Sequence, residues 1–158
     1  MTMEPLFEAN GFRLSGHLAR PRSAPGSWTP GLVLCHGFPS GPEGGRISAL
    51  SYPELADRIA TEMGWTVLCF TYRGCGQSEG SFSLWNWLRD SLAAAAWLRD
   101  VDNVLAVWMA GFGTGGALAT CAAAQDPGIM GVAAVGAPAD FDDWASHPRR
   151  LLQHANEV

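Results

Sequence analysis

The sequence predicts an α/β fold, a mostly parallel sheet with helices on both faces, entered through an N-terminal β-hairpin. Three observations predict it. Short apolar runs alternate with segments of helical periodicity. An Asn10-Gly11 pair stands between two strand-like stretches near the start. Loops rich in Gly and Pro punctuate the rest, as expected where buried strands turn into crossover helices.

Residues 5–20 read as the hairpin. Leu6–Ala9 and Phe12–Leu18 flank Asn10-Gly11, the pair preferred in a tight type I′ turn. Phe12, Leu14 and Leu18 share one strand face, and Arg13, Ser15 and His17 share the other. Pro21 to Pro30 is a loop. Gly31–Cys35 is a short apolar run that suits a strand buried on both faces. Ser51-Tyr52-Pro53-Glu54 opens a helix, with Ser51 and Glu54 spaced as a capping box and Gly64 as its stop. Trp65–Phe70 is the next strand. Leu84–Arg99 is a second helix capped by Ser83, with Leu84, Leu88, Leu92 and Ala95 on one stripe. Val104–Ala110 is a strand, Gly115–Gln125 a helix of small residues, and Gly131–Val135 the last strand. Residues 1–158 are expected to form one domain, with 140–158 the start of a cap or a tail.

Composition narrows the function. The 158 residues carry 15 acidic and 10 basic side chains, a formal charge of −5. A nucleic-acid binder working through bulk charge needs a basic footprint, and a polybasic membrane anchor needs the same. Apolar residues make up 47% and charged residues 16%, which excludes disorder. The longest apolar runs, Leu92–Leu98 and Val104–Ala110, are too short to span a bilayer. The first residues lack the basic and apolar regions of a signal peptide, and Cys35, Cys69, Cys75 and Cys121 form no C-x-x-C. A cytoplasmic protein without metal or cofactor is the expectation.

Ligands on such sheets bind beyond the carboxyl ends of the strands. Three segments follow those ends: His36-Gly37-Phe38-Pro39, then Arg73-Gly74-Cys75-Gly76-Gln77-Ser78, then Gly111-Phe112-Gly113-Thr114-Gly115-Gly116. In this order and at these separations they resemble the α/β-hydrolase superfamily, closest to its serine-aminopeptidase-like and small-esterase branches. The resemblance covers about residues 5–145. It implies a hydrolase of ester or peptide bonds, with the Phe38 and Thr114 amides as oxyanion donors. It also implies that His36 orders the oxyanion loop with Gly37 and is not the base. Gly111 and Gly115 allow strand and helix to meet through a sharp turn, and Gly116 adds room at the helix start.

The chain departs from the family pattern in two ways. The family elbow is Gly-x-Ser-x-Gly, and the position of its nucleophilic Ser is Gly113 here. Glycine has no side chain to form an acyl-enzyme. Family members also continue through two further strands that carry the acid and the His. Here Asp140, with Asp142 and Asp143 close by, is the candidate vestigial acid, and only His147 and His154 follow it. The expectation is therefore a catalytically impaired relative that binds a small acyl or carbonyl ligand. One alternative is an active hydrolase, if the chain is a fragment or a partner completes it. Another is a dinucleotide module using Gly111-x-Gly113-x-x-Gly116, with Asp140 as the acidic residue further on. A third is a protein whose exposed sheet edge is covered by another copy or a completing subunit.

Other residues near the site carry structural readings. Arg73 and Glu79 read as a pair that braces a loop, Ser78 as a turn or cap residue, and Cys75 as a small packed residue. Trp85, Trp87 and Trp97 read as core and edge packing.

Overall fold

The computed structural model describes residues 4–24, 26–38 and 49–139. Its elements are β1 (Glu4–Ala9), β2 (Phe12–Ala19), β3 (Thr29–Cys35), α1 (Tyr52–Met63), β4 (Thr66–Phe70), α2 (Leu84–Arg99), β5 (Val104–Phe112), α3 (Thr114–Gln125) and β6 (Ile129–Val135). The strands form one sheet in the order β1-β2-β4-β3-β5-β6. β1 pairs antiparallel with β2, and β2 antiparallel with β4. From β4 through β3 and β5 to β6 every pairing is parallel. The hairpin turns at Asn10 and Gly11, both at positive φ of 51° and 85°, as a type I′ turn demands.

The chain leaves β3 in one direction, through α1 to β4, and then crosses back over β3 through α2 to β5. The carboxyl ends of β3 and β5 are thus neighbours at the point where the winding reverses. Loops diverge there, and a crevice opens between them.

α1 covers one face of the sheet, where Ala56 and Ala60 pack on Leu34, Val67 and Cys69. α2 and α3 cover the other, and its larger core holds Leu14, Val33, Phe70, Tyr72, Trp87, Leu98, Val107 and Leu118. Trp87 is fully buried, Trp97 stacks on Phe7, and Trp85 is exposed. His17 on β2 reaches Asp57 on α1 at 2.8 Å, tying the hairpin to the helix.

Several local expectations need correction. The two predicted faces of β2 are both buried in the middle of the strand, at Leu14 and at Ser15, while Phe12 at its start is exposed. One face of β2 lies against α1, whose Asp57 meets His17, and the other contributes Leu14 to the core shared with α2 and α3. The buried stripe of α2 is rotated from the predicted one. It runs through Trp87, Leu88, Asp90, Ser91, Ala94, Ala95 and Leu98, with Leu84 and Leu92 at its margin. Ser51 precedes α1 in a helical conformation and makes no side-chain cap. Ser83 does cap α2, accepting from the Asn86 N–H at 3.4 Å.

Arg73 and Glu79 are not partners. Glu79 accepts from Arg13 on the exposed rim, at 2.7 Å from Nη2 and 2.9 Å from the backbone N–H. Arg73 turns inward to Asp90, which is wholly buried. Its Nε, its Nη2 and its own backbone N–H all donate to that carboxylate. The Trp87 indole N–H donates to the Arg73 carbonyl at 3.0 Å. These bonds fasten the loop after β4 to α2.

Candidate active site

The site begins at the end of β3. His36 is buried there, and each of its ring nitrogens is engaged. Nε2 accepts from the Tyr72 backbone N–H at 3.2 Å, so the proton sits on Nδ1, which donates to the Gly37 carbonyl at 2.7 Å. The ring packs edge-on against Tyr72 and Trp87, which stack on each other 4.5 Å apart. His36 thereby joins the loop after β3 to the loop after β4 and has no nitrogen left to serve as a base.

Burial holds the His36 imidazole far below its ordinary value, at about 4, although the bond to Gly37 acts the other way. A pH dependence follows. Above pH about 6.5 the ring is neutral whether the chain is folded or not. As pH falls from there toward 4, the unfolded chain takes up a proton that the folded chain refuses. Stability is therefore lost on acidification, by up to about 3 kcal/mol from this group. Urea melts from pH 7 to pH 4 should show that decline, and His36→Asn should flatten it while lowering the pH 7 value. An unchanged slope in the variant would assign the decline to other groups.

β5 supplies the second wall. It ends at Phe112, and α3 begins at Thr114, so one residue makes the turn. That residue is Gly113, with φ 54° and ψ −125°, a strained conformation that residues with a side chain rarely adopt. Its N–H donates to the Val135 carbonyl of β6 at 2.9 Å. Its carbonyl accepts from the Gly116 and Ala117 N–H groups at 3.0 and 3.3 Å. The turn is closed by absent side chains. A Cβ on Gly111 would strike the Gly115 backbone, and one on Gly115 would strike the carbonyls of His36 and Cys35. On Gly116 it would lie 2.8 Å from the Gly111 carbonyl oxygen. Gly37 is confined in the same way, 2.8 Å from the Phe112 oxygen. Position 113 differs: a Cβ there has nothing within 4 Å and points into open space.

That space is a cleft of about 560 Å³ lined by Gly37, Phe38, Phe112, Gly113, Thr114, Gly136 and Pro138. None of these side chains carries a charge. Phe38 packs its ring against Phe82 and Trp87. Phe112 meets Tyr52 edge-on. Thr114 is the first residue of α3, where helix geometry gives the N–H no intrahelical acceptor. The structure thus brings Gly37 and Phe38, after β3, together with Gly113 and Thr114, after β5, at one crevice, with His36 buried behind it. Asp140, Asp142, Asp143, His147 and His154 lie outside the described residues.

Other candidate nucleophiles are occupied elsewhere. The Ser78 hydroxyl donates to the Thr71 carbonyl at 2.7 Å and accepts from the Ser15 N–H at 2.9 Å, as a turn residue would. Cys75 is buried, and burial pushes the Cys35 thiol up to about 12. Among the described residues no histidine lines the cleft, His17 being engaged with Asp57. Sequence reading missed Asp90 and Tyr72, which hold the loops in place without lining the cleft.

Residues 30–157 match the model of the alpha/beta hydrolase fold family. The chain belongs to this family. Among solved structures it resembles Est1E from Butyrivibrio proteoclasticus with ferulic acid bound, at 26% identity and a TM-score of 0.65, over 79% of this chain and 49% of that one. An alpha-beta serine hydrolase homologue from Coxiella burnetii shares 22% identity with a TM-score of 0.71, over 92% of this chain and 68% of that one. The Pyrococcus furiosus esterase Pf2001 shares 20% identity with a TM-score of 0.65, over 99% of this chain and 57% of that one. This hydrolase-fold chain therefore spans about half to two-thirds of the length of these structures. No curated protein matches the sequence. Among the described residues no helix is long and apolar enough to cross a membrane.

Proposed function

We propose that this hydrolase-family chain, related to esterases, binds an acyl or carbonyl group in its cleft without forming an acyl-enzyme. The observation that carries the reading is Gly113. It occupies the turn between β5 and α3 with backbone angles suited to an elbow, and a side chain there would project into the cleft. In the family pattern that residue is the nucleophilic Ser, and glycine offers no atom to attack a carbonyl. The surroundings still suit a carbonyl oxygen. Phe38 and Thr114 both line the cleft, and their amides are the proposed donors to an oxygen that gains charge. The uncharged lining and the exposed Phe112 ring favour an apolar or aromatic acyl group over a charged one. The ferulic acid bound to Est1E carries an aromatic acyl group, and its uncharged methyl ester is the form this lining favours. Asp140 would be the vestige of the acid.

The length of the solved relatives favours a second reading, in which further polypeptide completes the site and an active hydrolase uses another nucleophile. Two measurements separate the readings. Methyl ferulate should bind saturably by isothermal titration calorimetry, and Gly113→Trp should abolish binding by filling the cleft. p-Nitrophenyl acetate should give no burst of nitrophenol. A burst equal to the protein concentration would favour the second reading, and absence of any ligand effect would sink the first.

A further inference from the structure

We infer that Trp87 is a positioning residue for the cleft: it touches no ligand, and it fixes the direction in which the Phe38 amide points. The inference rests on the proposed role of that amide as a donor to a ligand carbonyl.

The Phe38 N–H and the Gly37 carbonyl belong to one peptide unit, and in a trans peptide they point in opposite directions. The Gly37 carbonyl accepts from Nδ1 of the buried His36 at 2.7 Å. That bond aims the Phe38 N–H away from the imidazole. Gly37 has no side chain to restrict rotation of this unit, so neighbours must hold its orientation. His36 holds the carbonyl end, and packing of the Phe38 ring holds the other. Trp87 stands behind both. Its ring centre lies 5.8 Å from that of His36 and 5.1 Å from that of Phe38. Phe82 packs against Phe38 and meets Trp87 edge-on, closing the group.

Trp87 is itself fixed by the loop after β4. It stacks on Tyr72 with the ring planes 10° apart, and its indole N–H donates to the Arg73 carbonyl at 3.0 Å. The Tyr72 backbone N–H is in turn the donor to His36 Nε2. One fully buried ring therefore bears on both supports of the 37–38 peptide and on the loop that braces them. The other tryptophans of α2 are placed differently: Trp85 is exposed, and Trp97 stacks on Phe7 of β1. Filling core volume needs neither a donor nor a flat ring. Position 87 supplies both, the donor matched to one carbonyl and the ring to aromatic neighbours on two loops.

A pair of ligands tests this by calorimetry. Methyl ferulate carries the carbonyl, and the matching cinnamyl methyl ether has a CH2 in its place on the same aromatic frame. The wild-type chain should prefer the ester by about tenfold, the worth of an aligned hydrogen bond. Trp87→Phe keeps an aromatic ring and deletes the N–H. It should cut the preference to about threefold or less, since the Phe38 amide loses its aim while the Thr114 amide remains. Trp97→Phe, the same change further along α2, should keep the full preference. A general loosening of the cleft by Trp87→Phe would weaken both ligands alike and leave the preference intact, and that result would overturn the inference. If Trp87→Phe does not fold, Phe38→Ala releases the same grip from the cleft side, and an undiminished preference there would overturn it equally. A wild-type chain that binds neither ligand, or both equally, would instead refute the proposed use of the amides, and this inference with it.

Discussion

Asp90→Ala should cost about 3–5 kcal/mol of folding stability, a large part of what a domain of this size possesses. Asp90 and Arg73 are both buried, and the carboxylate receives the Arg73 side chain through Nε and Nη2 and the Arg73 backbone through its N–H. Removing the carboxylate leaves a guanidinium out of water without a counter-charge, and that uncompensated charge is what makes the loss large. The double variant Arg73→Met with Asp90→Leu should be less damaging than Asp90→Ala alone, since it removes both charges. Urea unfolding of the three proteins checks the order. If the single and double variants were equally unstable, the role of Asp90 would be packing or backbone hydrogen bonding, not charge compensation.

Gly115→Ala should be far more damaging than Gly113→Ala two residues before it. Its Cβ would collide with the carbonyls of Cys35 and His36, and neither backbone group can swing aside as a flexible side chain could. Overpacking of this kind costs about 1–3 kcal/mol in ordinary cores, and a clash with two fixed carbonyls belongs at or beyond the upper end. It would also push the end of β3 away from β5, where the cleft is formed. Gly113→Ala meets no neighbour and suffers only from its backbone angles, about 1–3 kcal/mol for such strain. Thermal melts should rank Gly115→Ala below Gly113→Ala, and methyl ferulate binding should weaken more in the former. The reverse ranking would mean that β3 and α3 can separate without loss, contrary to the packing described.

The order of strands and helices was legible because each apolar run is short, and each is followed by a punctuated loop. The glycines of the elbow were legible for a local reason: four of them within six residues, between a strand and a helix, leave few other uses. Asp90 was not legible in the same way. It lies three residues after Trp87 and four before Ala94, on the buried stripe of α2, and its position there was the available signal. A carboxylate on a buried stripe needs a cation, but only the fold identifies which one. Glu79 shows the converse. Its nearest arginine in sequence is Arg73, yet hairpin geometry brings Arg13 to it from 66 residues away. The missed cap at Ser51 has a similar origin, since residue type and spacing fitted a capping box while the backbone did not. The role of His36 came from the resemblance, and the two engaged ring nitrogens are its physical basis.

The central claim is that the family's covalent step has no nucleophile at Gly113. Intact-mass spectrometry after treatment with a fluorophosphonate tests it most directly, because this reagent forms a stable adduct with an activated serine and needs no knowledge of the substrate. The account predicts a single species at the untreated mass after prolonged exposure. A stoichiometric adduct would contradict it, and peptide mapping of that adduct would name the residue that acts in place of a serine at 113.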